Sequence, residues 1–454
     1  MSSEDKLTEK VVSLAKRRGF VFSGSEIYGG VGGIYDLGPF GVELANNIKA
    51  AWWKNIVSQR DNVVGLDSSI LMNRAVWHTS GHVESFADSL IECKSCHSRF
   101  REDLIPKSKN CPTCGKSDWT KSRMFNLMFK THIGSVQEQG SETFLRPETA
   151  QGIFVNFKNV LDTMRVKLPF GIAQIGKGFR NEITTGNFLF RVREFEMMEL
   201  EYFTLPEKSE ADFEYWQKER MDWHISLGLT KKNLRFREHE SDERAHYATR
   251  SVDIEYNWPF MASLAEDGKS RQGWGELEGI ANRTDYDLKQ HSKESGKDLS
   301  YFDEQTKEKM VPYVIEPSIG VGRMMLALLI DAYTEEKAPT AEKGESETRT
   351  VLKLNPTLAP VKVAVLPLIK DEKLIKIAKN IYKDFKENWE ATYDEVGTIG
   401  RRYRRQDEIG TPYVVTVDFD TLEDDSVTVR DRDSMRQERV KIPQLAKSLK
   451  EVLH

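Results

Sequence analysis

A long N-terminal part of mixed helix and antiparallel strand, followed by a small α/β domain, is the fold this sequence predicts. Three observations carry the prediction. Residues 170–180 and 190–203 read as strands around the turn residues Gly186 and Asn187, the pattern of an antiparallel hairpin. Near the C-terminus, apolar strand runs at 361–367, 412–419 and 426–430 surround a helical run at 371–388, which suggests an α/β unit. Between the two parts, residues 334–350 (TEEKAPTAEKGESETRT) are charged and poor in apolar side chains, and read as a linker or exposed loop.

The remaining elements follow in order. Residues 41–57 place apolar side chains at helical spacing, with Pro39 upstream as a helix starter. Residues 63–72 look like a strand, and 143–160 like a strand end followed by a helix. Residues 205–270 are polar, charged and Trp-rich, and look like an inserted helical subdomain. A buried-type helix at 324–333 follows Gly320-Val321-Gly322.

At 454 residues the chain exceeds one ordinary core, so two or three domains are expected. With 39% hydrophobic and 30% charged residues, the composition is that of a globular protein, which excludes disordered and fibrous classes. The start, MSSEDKLTEK, has no apolar core of a secretory signal, and the run from Met324 to Ile330 is far too short for a membrane span. We therefore expect a cytoplasmic protein with no membrane partner and reduced thiols. A net charge of −5 means that any nucleic-acid surface must be local. Arg401-Arg402-Tyr403-Arg404-Arg405 is the candidate, unless Asp407 and Glu408 balance it.

All four cysteines fall in one pattern, Cys93-Lys-Ser-Cys96 and Cys111-Pro-Thr-Cys114. Two such knuckles can close four thiolates tetrahedrally around one Zn²⁺, a closed and therefore structural site. Two disulfides are the weaker reading in a reducing compartment. Gly115 supplies a tight turn after the second knuckle, and His97 reads as a bystander.

Two further stretches carry phosphate chemistry. Phe179-Arg180-Asn181-Glu182 is answered across the hairpin by Phe190-Arg191-Val192-Arg193-Glu194-Phe195. An arginine on such a strand can grip a phosphate bidentately, and an aromatic on the returning strand can stack on a purine. Ile315-Glu316-Pro317-Ser318-Ile319-Gly320-Val321-Gly322-Arg323 leads into an apolar helix, and its glycines allow close approach of backbone to a ligand.

In this order, the two stretches resemble motifs 2 and 3 of class II aminoacyl-tRNA synthetases. The run from Phe144 to Gly152 (FLRPETAQG), Ile175-Gly176-Lys177, Gly275-Glu276-Leu277, Tyr28-Gly29-Gly30 and the run from Arg402 to Pro412 are similar to the glycyl-tRNA synthetases of the homodimeric type, over nearly the whole chain. The resemblance implies an α+β architecture. An antiparallel-sheet catalytic domain would span 1–340, with a zinc-knuckle insert at 91–125 and a helical insert at 205–270. An anticodon-binding α/β domain would span 351–454. It also implies a homodimer, with ATP, glycine and tRNA(Gly) as partners and Mg²⁺ accompanying ATP.

Roles carry over by position. Arg180 matches the arginine on the α-phosphate, and Arg323 the one on the γ-phosphate; with Glu182 these are the expected catalytic side chains. Asn181, Phe190, Arg191, Val192, Arg193, Glu194 and the adenine-stacking Phe195 complete the motif 2 contacts. Glu276 and Leu277 form an ATP-side pair, with Glu276 the choice for Mg²⁺, and Gly320, Val321 and Gly322 continue the ATP site. For glycine, the matched residues are Arg99, Glu148, Phe195, Glu196, Met197, Met198, Glu199, Glu316, Pro317, Ser318, Ile319 and Gly320. Glu148 and Glu316 are the expected ammonium partners, unless they pair with arginines such as Arg146. One departure is Arg74, where the family usually has proline. Adenylate formation asks for charge stabilisation and positioning, so no nucleophilic side chain is expected. The alternatives are a class II enzyme for serine, threonine or proline, and a non-catalytic nucleic-acid-binding accessory protein on the same scaffold. Relatives of the latter kind lack the ATP motifs, whereas Arg180, Glu182, Glu276 and Arg323 are all present.

Overall fold

The computed structural model describes residues 3–105, 110–136, 141–241, 243–244, 248–264, 273–304, 306–339 and 346–453. A seven-stranded sheet organises the first part. Its strands are β1 (Val63–Gly65), β2 (Phe170–Phe179), β3 (Glu194–Thr204), β4 (Leu234–Glu238), β5 (Arg250–Asn257), β6 (Trp274–Thr284) and β7 (Tyr313–Gly320). They lie in the order β4-β5-β6-β7-β3-β2-β1. Every neighbouring pair is antiparallel except β1 with β2.

Strand alternation sorts the side chains of β3 and β7 to two faces. Met198, Leu200, Ile315 and Ile319 join one core with α2 (Pro39–Trp53) and α6 (Val321–Ala332). On the other face, α3 (Ala150–Met164) packs Phe157 onto Phe170 and Phe203, with ring centroids 6.0 and 4.7 Å away. Deleting a ring buried this way costs about 3–5 kcal/mol. Along that same face, β3 carries Phe195, Met197, Glu199 and Glu201, and β7 carries Glu316, Ser318 and Gly320. The alternation thus puts polar chemistry where α3 begins, at Thr149 and Gln151.

The expected hairpin is β2–β3, with Phe195 opposite Gly178. Four other expectations need correction. Residues 205–270 are not a helical insert. They supply α4 (Ser209–Ser226) and then β4 and β5, two strands of the main sheet; 242, 245–247 and 265–270 lie outside the described residues. Val252, Ile254 and Tyr256 alternate with Asp253 and Glu255, the period-two pattern of a strand, which the charged composition of the whole stretch masks. Residues 334–350 are not a plain linker either. β8 (Tyr333–Pro339) and β9 (Ser346–Leu352) pair antiparallel, and 340–345 lie outside the described residues. The hairpin's charges are matched rather than solvated: Arg349, fully buried, binds Glu336 of β8 and Asp407. The strand expected over 63–72 is only β1, and the helix at 41–57 ends at Trp53 before a wider turn at Lys54–Ser58.

The C-terminal unit comprises β10 (Val363–Pro367), α7 (Glu372–Lys386), β11 (Ala391–Tyr393), α8 (Ile399–Ile409), β12 (Tyr413–Val417), β13 (Ser426–Asp431), β14 (Gln437–Lys441) and α9 (Ile442–Lys450). The sheet order is β11-β10-β12-β13-β14, with β10 parallel to both neighbours. α7 and α9 bury one face of it, and Ile399 and Tyr403 of α8 pack on the other. Among the described residues, no helix is long and apolar enough to cross a membrane.

Candidate active site and cysteine cluster

A cleft of about 340 Å³ opens on the polar face of the sheet, between the β2–β3 hairpin and the start of α6. Arg180 stands at the end of β2, donating Nε to the carbonyl of Pro147 at 3.1 Å. Its guanidinium lies 5.3 Å from the ring centres of both Phe86 and Phe195. Phe195 rests flat against Gly178, where a Cβ would come within 2.7 Å of the ring, so only glycine admits this placement. Across the cleft, Arg323 on the first turn of α6 lies over Phe190 at 4.6 Å and donates Nε to the Phe190 carbonyl at 3.2 Å. It pairs with Glu276 at 3.0 Å and holds that carboxyl below its usual range. A bulge between β5 and β6 lets Glu276 face the cleft while Leu277, 1% exposed, stays in the core.

Below the cleft floor lies a group of buried carboxylates. Ser318 lines the cleft and donates its hydroxyl to Glu199 at 2.8 Å. Glu199 also accepts the Thr149 backbone N–H at 2.7 Å. Glu316 accepts both Arg283 bonds, at 2.9 and 3.0 Å, and Arg283 also forks onto Asp287 of α5 (Tyr286–Ser295) at 2.8 Å. Glu148 contacts His82 at 3.2 Å and accepts from Gln151 at 3.1 Å. Glu201 is fully buried, and both its oxygens lack a hydrogen-bond partner among the described residues. Burial and the neighbouring Glu316 push its carboxyl well above the usual range. Burial also pushes Glu316 up to about 7, against the pull of Arg283. Burial acts the same way on Glu148, but His82 and Arg283 outweigh it and hold that carboxyl below its usual range. One arginine therefore serves several acids, and the pocket is short of positive charge.

The cysteines assemble at one end of a three-stranded insert built on Ala87–Glu92. Their four Sγ atoms lie within 4.8 Å of one another, with Cys93 and Cys114, and Cys96 and Cys111, each 3.6 Å apart. That spacing is far beyond a disulfide bond. It matches the roughly 3.8 Å edge of a tetrahedron with Zn–S arms of about 2.3 Å. The two knuckles are built alike. His97 and Gly115, both at positive φ, donate their N–H groups to the carbonyls of Cys93 and Cys111 at 2.8 Å.

Residues 129–332 match the model of the tRNA synthetase class II core domain (G, H, P, S and T), and residues 362–452 that of the anticodon binding domain. The chain is 53% identical to glycine–tRNA ligase of Thermobifida fusca (strain YX), with 100% of this chain and 99% of that protein aligned. It is 54% identical to glycine–tRNA ligase of Caldanaerobacter subterraneus subsp. tengcongensis, over 98% of each chain. To the glycine–tRNA ligase of Borreliella burgdorferi it is 53% identical, over 97% of this chain and 96% of that one. The chain belongs to the glycine–tRNA ligase family.

In this member of the family, the cleft brings together Arg180, Glu182, Phe190, Arg191, Val192 and Phe195 of the hairpin. It also gathers Met197, Glu276, Ser318, Gly320, Gly322 and Arg323. Other residues picked by position point elsewhere. Glu196 pairs with Lys49 of α2, and Met198, Ile319 and Val321 lie in the core; Pro317 takes the same opposite face of β7. A contiguous run along a strand cannot all reach one ligand, because alternate side chains leave by the other face. Glu194 pairs with Lys177 at the surface, 2.8 Å away. Arg193 is spent on the carbonyls of Gly32 and Glu182, and Asn181 is not among the lining residues. Arg99 is exposed and bonded to Glu92; Arg101, two residues on, lines the cleft instead. Arg146 does not pair with the glutamates but holds the backbone carbonyls of Lys177 and Ser68. Sequence reasoning missed Arg283, Asp287, His82 and Glu201. The bulge at Leu277 reverses the in–out parity of β6, so counting from Glu276 sends Arg283 to the wrong face.

Proposed function

We propose that this protein activates glycine with ATP and transfers it to the 3′ end of tRNA(Gly), with Arg180, Glu182 and Arg323 as the side chains that carry the chemistry. The observation that carries the reading is the juxtaposition of two ring-seated arginines with a pocket beneath Ser318 whose carboxylates outnumber their cationic partners, Arg283 and His82. The arginines suit the triphosphate, and Phe195 offers an aromatic face for a purine. The carboxylates suit an ammonium. Glycine's carboxylate oxygen attacks the α-phosphorus, the bond to the β-phosphate oxygen breaks, and pyrophosphate leaves. Arg180 and Arg323 spread the charge that develops. The terminal ribose hydroxyl of the tRNA then attacks the adenylate carbonyl carbon, and AMP leaves.

Selectivity rests on size and charge. One methylene changes apolar binding by only about 1–3 kcal/mol, so the site must grip the ammonium and leave no room for a Cβ. Glu148, Glu199 and Glu316 make that grip, with Ser318 between the pocket and the cleft. Glu276 and Glu182 are the residues that would hold Mg²⁺: both line the cleft, and Glu182 Oε2 is buried without a partner among the described residues. When bound, the ion neutralises phosphate charge. The four cysteines would hold one structural Zn²⁺, keeping the insert and its Arg101 against the cleft. We assign catalysis to 1–340 and anticodon binding to 351–454, joined by the β8–β9 hairpin. A homodimer would cover exposed apolar side chains such as Leu71.

The test is ATP–pyrophosphate exchange with each of the twenty amino acids. Exchange supported by glycine alone is expected. Exchange driven better by alanine or serine overturns the reading.

A further inference from the structure

The basic cluster at 401–405 is a poor nucleic-acid surface in this structure. Arg402 is buried on backbone carbonyls, Arg404 binds Glu347 and Asp407, and Arg405 binds Asp394. Unspent positive charge lies elsewhere in the C-terminal unit. α7 carries Lys373, Lys376, Lys379, Lys383 and Lys386, all exposed. None of the five has an ion-pair partner among the described residues, although Glu372, Asp384 and Glu387 share the helix region.

Their spacing is regular. Steps of three, three, four and three residues at 100° per residue keep all five within an arc of roughly 140°. The opposite side of the helix, with Leu374, Ala378, Ile381 and Phe385, is buried on the sheet. At 1.5 Å per residue, the row extends about 20 Å. Two of its ammonium groups are seated on aromatic faces: Lys379 on Tyr393 at 5.5 Å and Lys386 on Tyr382 at 5.6 Å. The two rings are themselves 6.0 Å apart. α7 also lies on the side of the sheet away from α8, whose Glu408 is tied to Arg17 and Arg18 of α1 (Ser3–Arg17) and the residue after it. All five lysines being exposed, the row is open along its length among the described residues.

We infer that α7 is the surface of the C-terminal unit that runs along the phosphate backbone of the tRNA. This inference rests on the reading that tRNA is the partner. An evenly spaced row of unpaired ammonium groups matches the repeating charge of an RNA strand and asks nothing of base identity. The row contributes affinity and register, while base recognition falls to other residues. The aromatic seats keep Lys379 and Lys386 extended over the surface and lower the entropic cost of docking.

The experiment uses the full-length chain with Lys376→Glu, Lys379→Glu and Lys383→Glu combined. Glycine-dependent pyrophosphate exchange should stay within twofold of the unmodified protein, because none of the three lysines lines the cleft. The KM for tRNA in aminoacylation should rise at least tenfold near 0.1 M salt. The slope of log affinity against log salt should become shallower by about two to three, at roughly 0.7–0.9 for each phosphate that is no longer neutralised. A second variant replaces the same lysines by arginine and should behave as the unmodified protein. A tRNA KM within threefold in the glutamate variant, with exchange intact, overturns the inference and points to an acidic protein as the occupant. So does an equal loss in the arginine variant, which would mark the face as structural. Failure of the unmodified protein to exchange with glycine would instead strike the functional reading.

Discussion

Arg180 in the cleft and Arg402 on α8 both sit in arginine-rich runs that read as phosphate binders, and the structure gives them opposite uses. Arg402 is 2% exposed, and both terminal nitrogens of its guanidinium donate to backbone carbonyls, those of Pro367, Leu368 and Asp394. Among the described residues the Arg180 guanidinium makes one hydrogen bond, to Pro147, and is otherwise held by ring faces. A guanidinium has five N–H donors. Carbonyls consume those donors, whereas aromatic faces fix the plane and leave them free. The acids differ in the same way. Asp407 is ringed by Arg349, Arg404 and Arg430, while Glu148, Glu199, Glu201 and Glu316 share little more than Arg283 and His82. The saturated region is a joint, and the unsaturated one is a site.

The largest effect that could break this contrast is at Arg180. Arg180→Ala should reduce adenylate formation by about 10²–10³, the usual cost of removing a group that acts on developing charge. Its thermal unfolding should barely move. Exchange within twofold of the unmodified protein would show that the free donors are idle. At Arg402 the signs reverse. Arg402→Ala leaves buried carbonyls unpaired and should destabilise the fold by about 1–3 kcal/mol in denaturant titration. The tRNA KM of the folded fraction should be unchanged. A raised tRNA KM at full stability would return Arg402 to the nucleic-acid surface.

Glu316→Gln sharpens the acid half of the comparison. It keeps the size, removes the charge, and should raise the glycine KM about tenfold while the ATP KM changes little. Equal effects on both substrates would mean that the pocket below Ser318 does not hold glycine.

How much of this is legible in the sequence depends on whether the signal is local. The β2–β3 hairpin, its Arg180 and Phe195, and the glycine turn before Arg323 are visible because each is a short run with its own turn chemistry. The cysteine cluster is visible for the same reason. Strand alternation is also local, yet the resemblance assigns the whole run from Phe195 to Glu199 to glycine. It thereby takes in Glu196 and Met198, which leave by the far face. Arg283 is illegible because one bulged residue far up β6 reverses its side. The hairpin of β8 and β9 is illegible because its buried charges are matched by Asp407, fifty-eight residues beyond Arg349. Long-range pairing turns a solvated-looking segment into structure.

The smallest effect expected is a pH dependence, and it separates the two acid environments without mutation. The Glu316 carboxyl is raised from 4.5 to about 7, chiefly by burial. Below that value it carries a proton and cannot pair with an ammonium. Glycine KM should therefore fall as pH rises from about 6 to 8, by less than tenfold per unit for one group, and level off above. The stability sign is the opposite. The folded state keeps this proton up to about 7, while the unfolded chain releases it near 4.5. The group's contribution to folding is thus full below the lower value and lost as pH rises through the higher one. Glu316→Gln has no proton to release at this position, so its glycine KM should be flat across the same range. A profile that survives in the glutamine variant would assign the titration to another group, and the pocket's shortage of positive charge would no longer account for how it takes glycine.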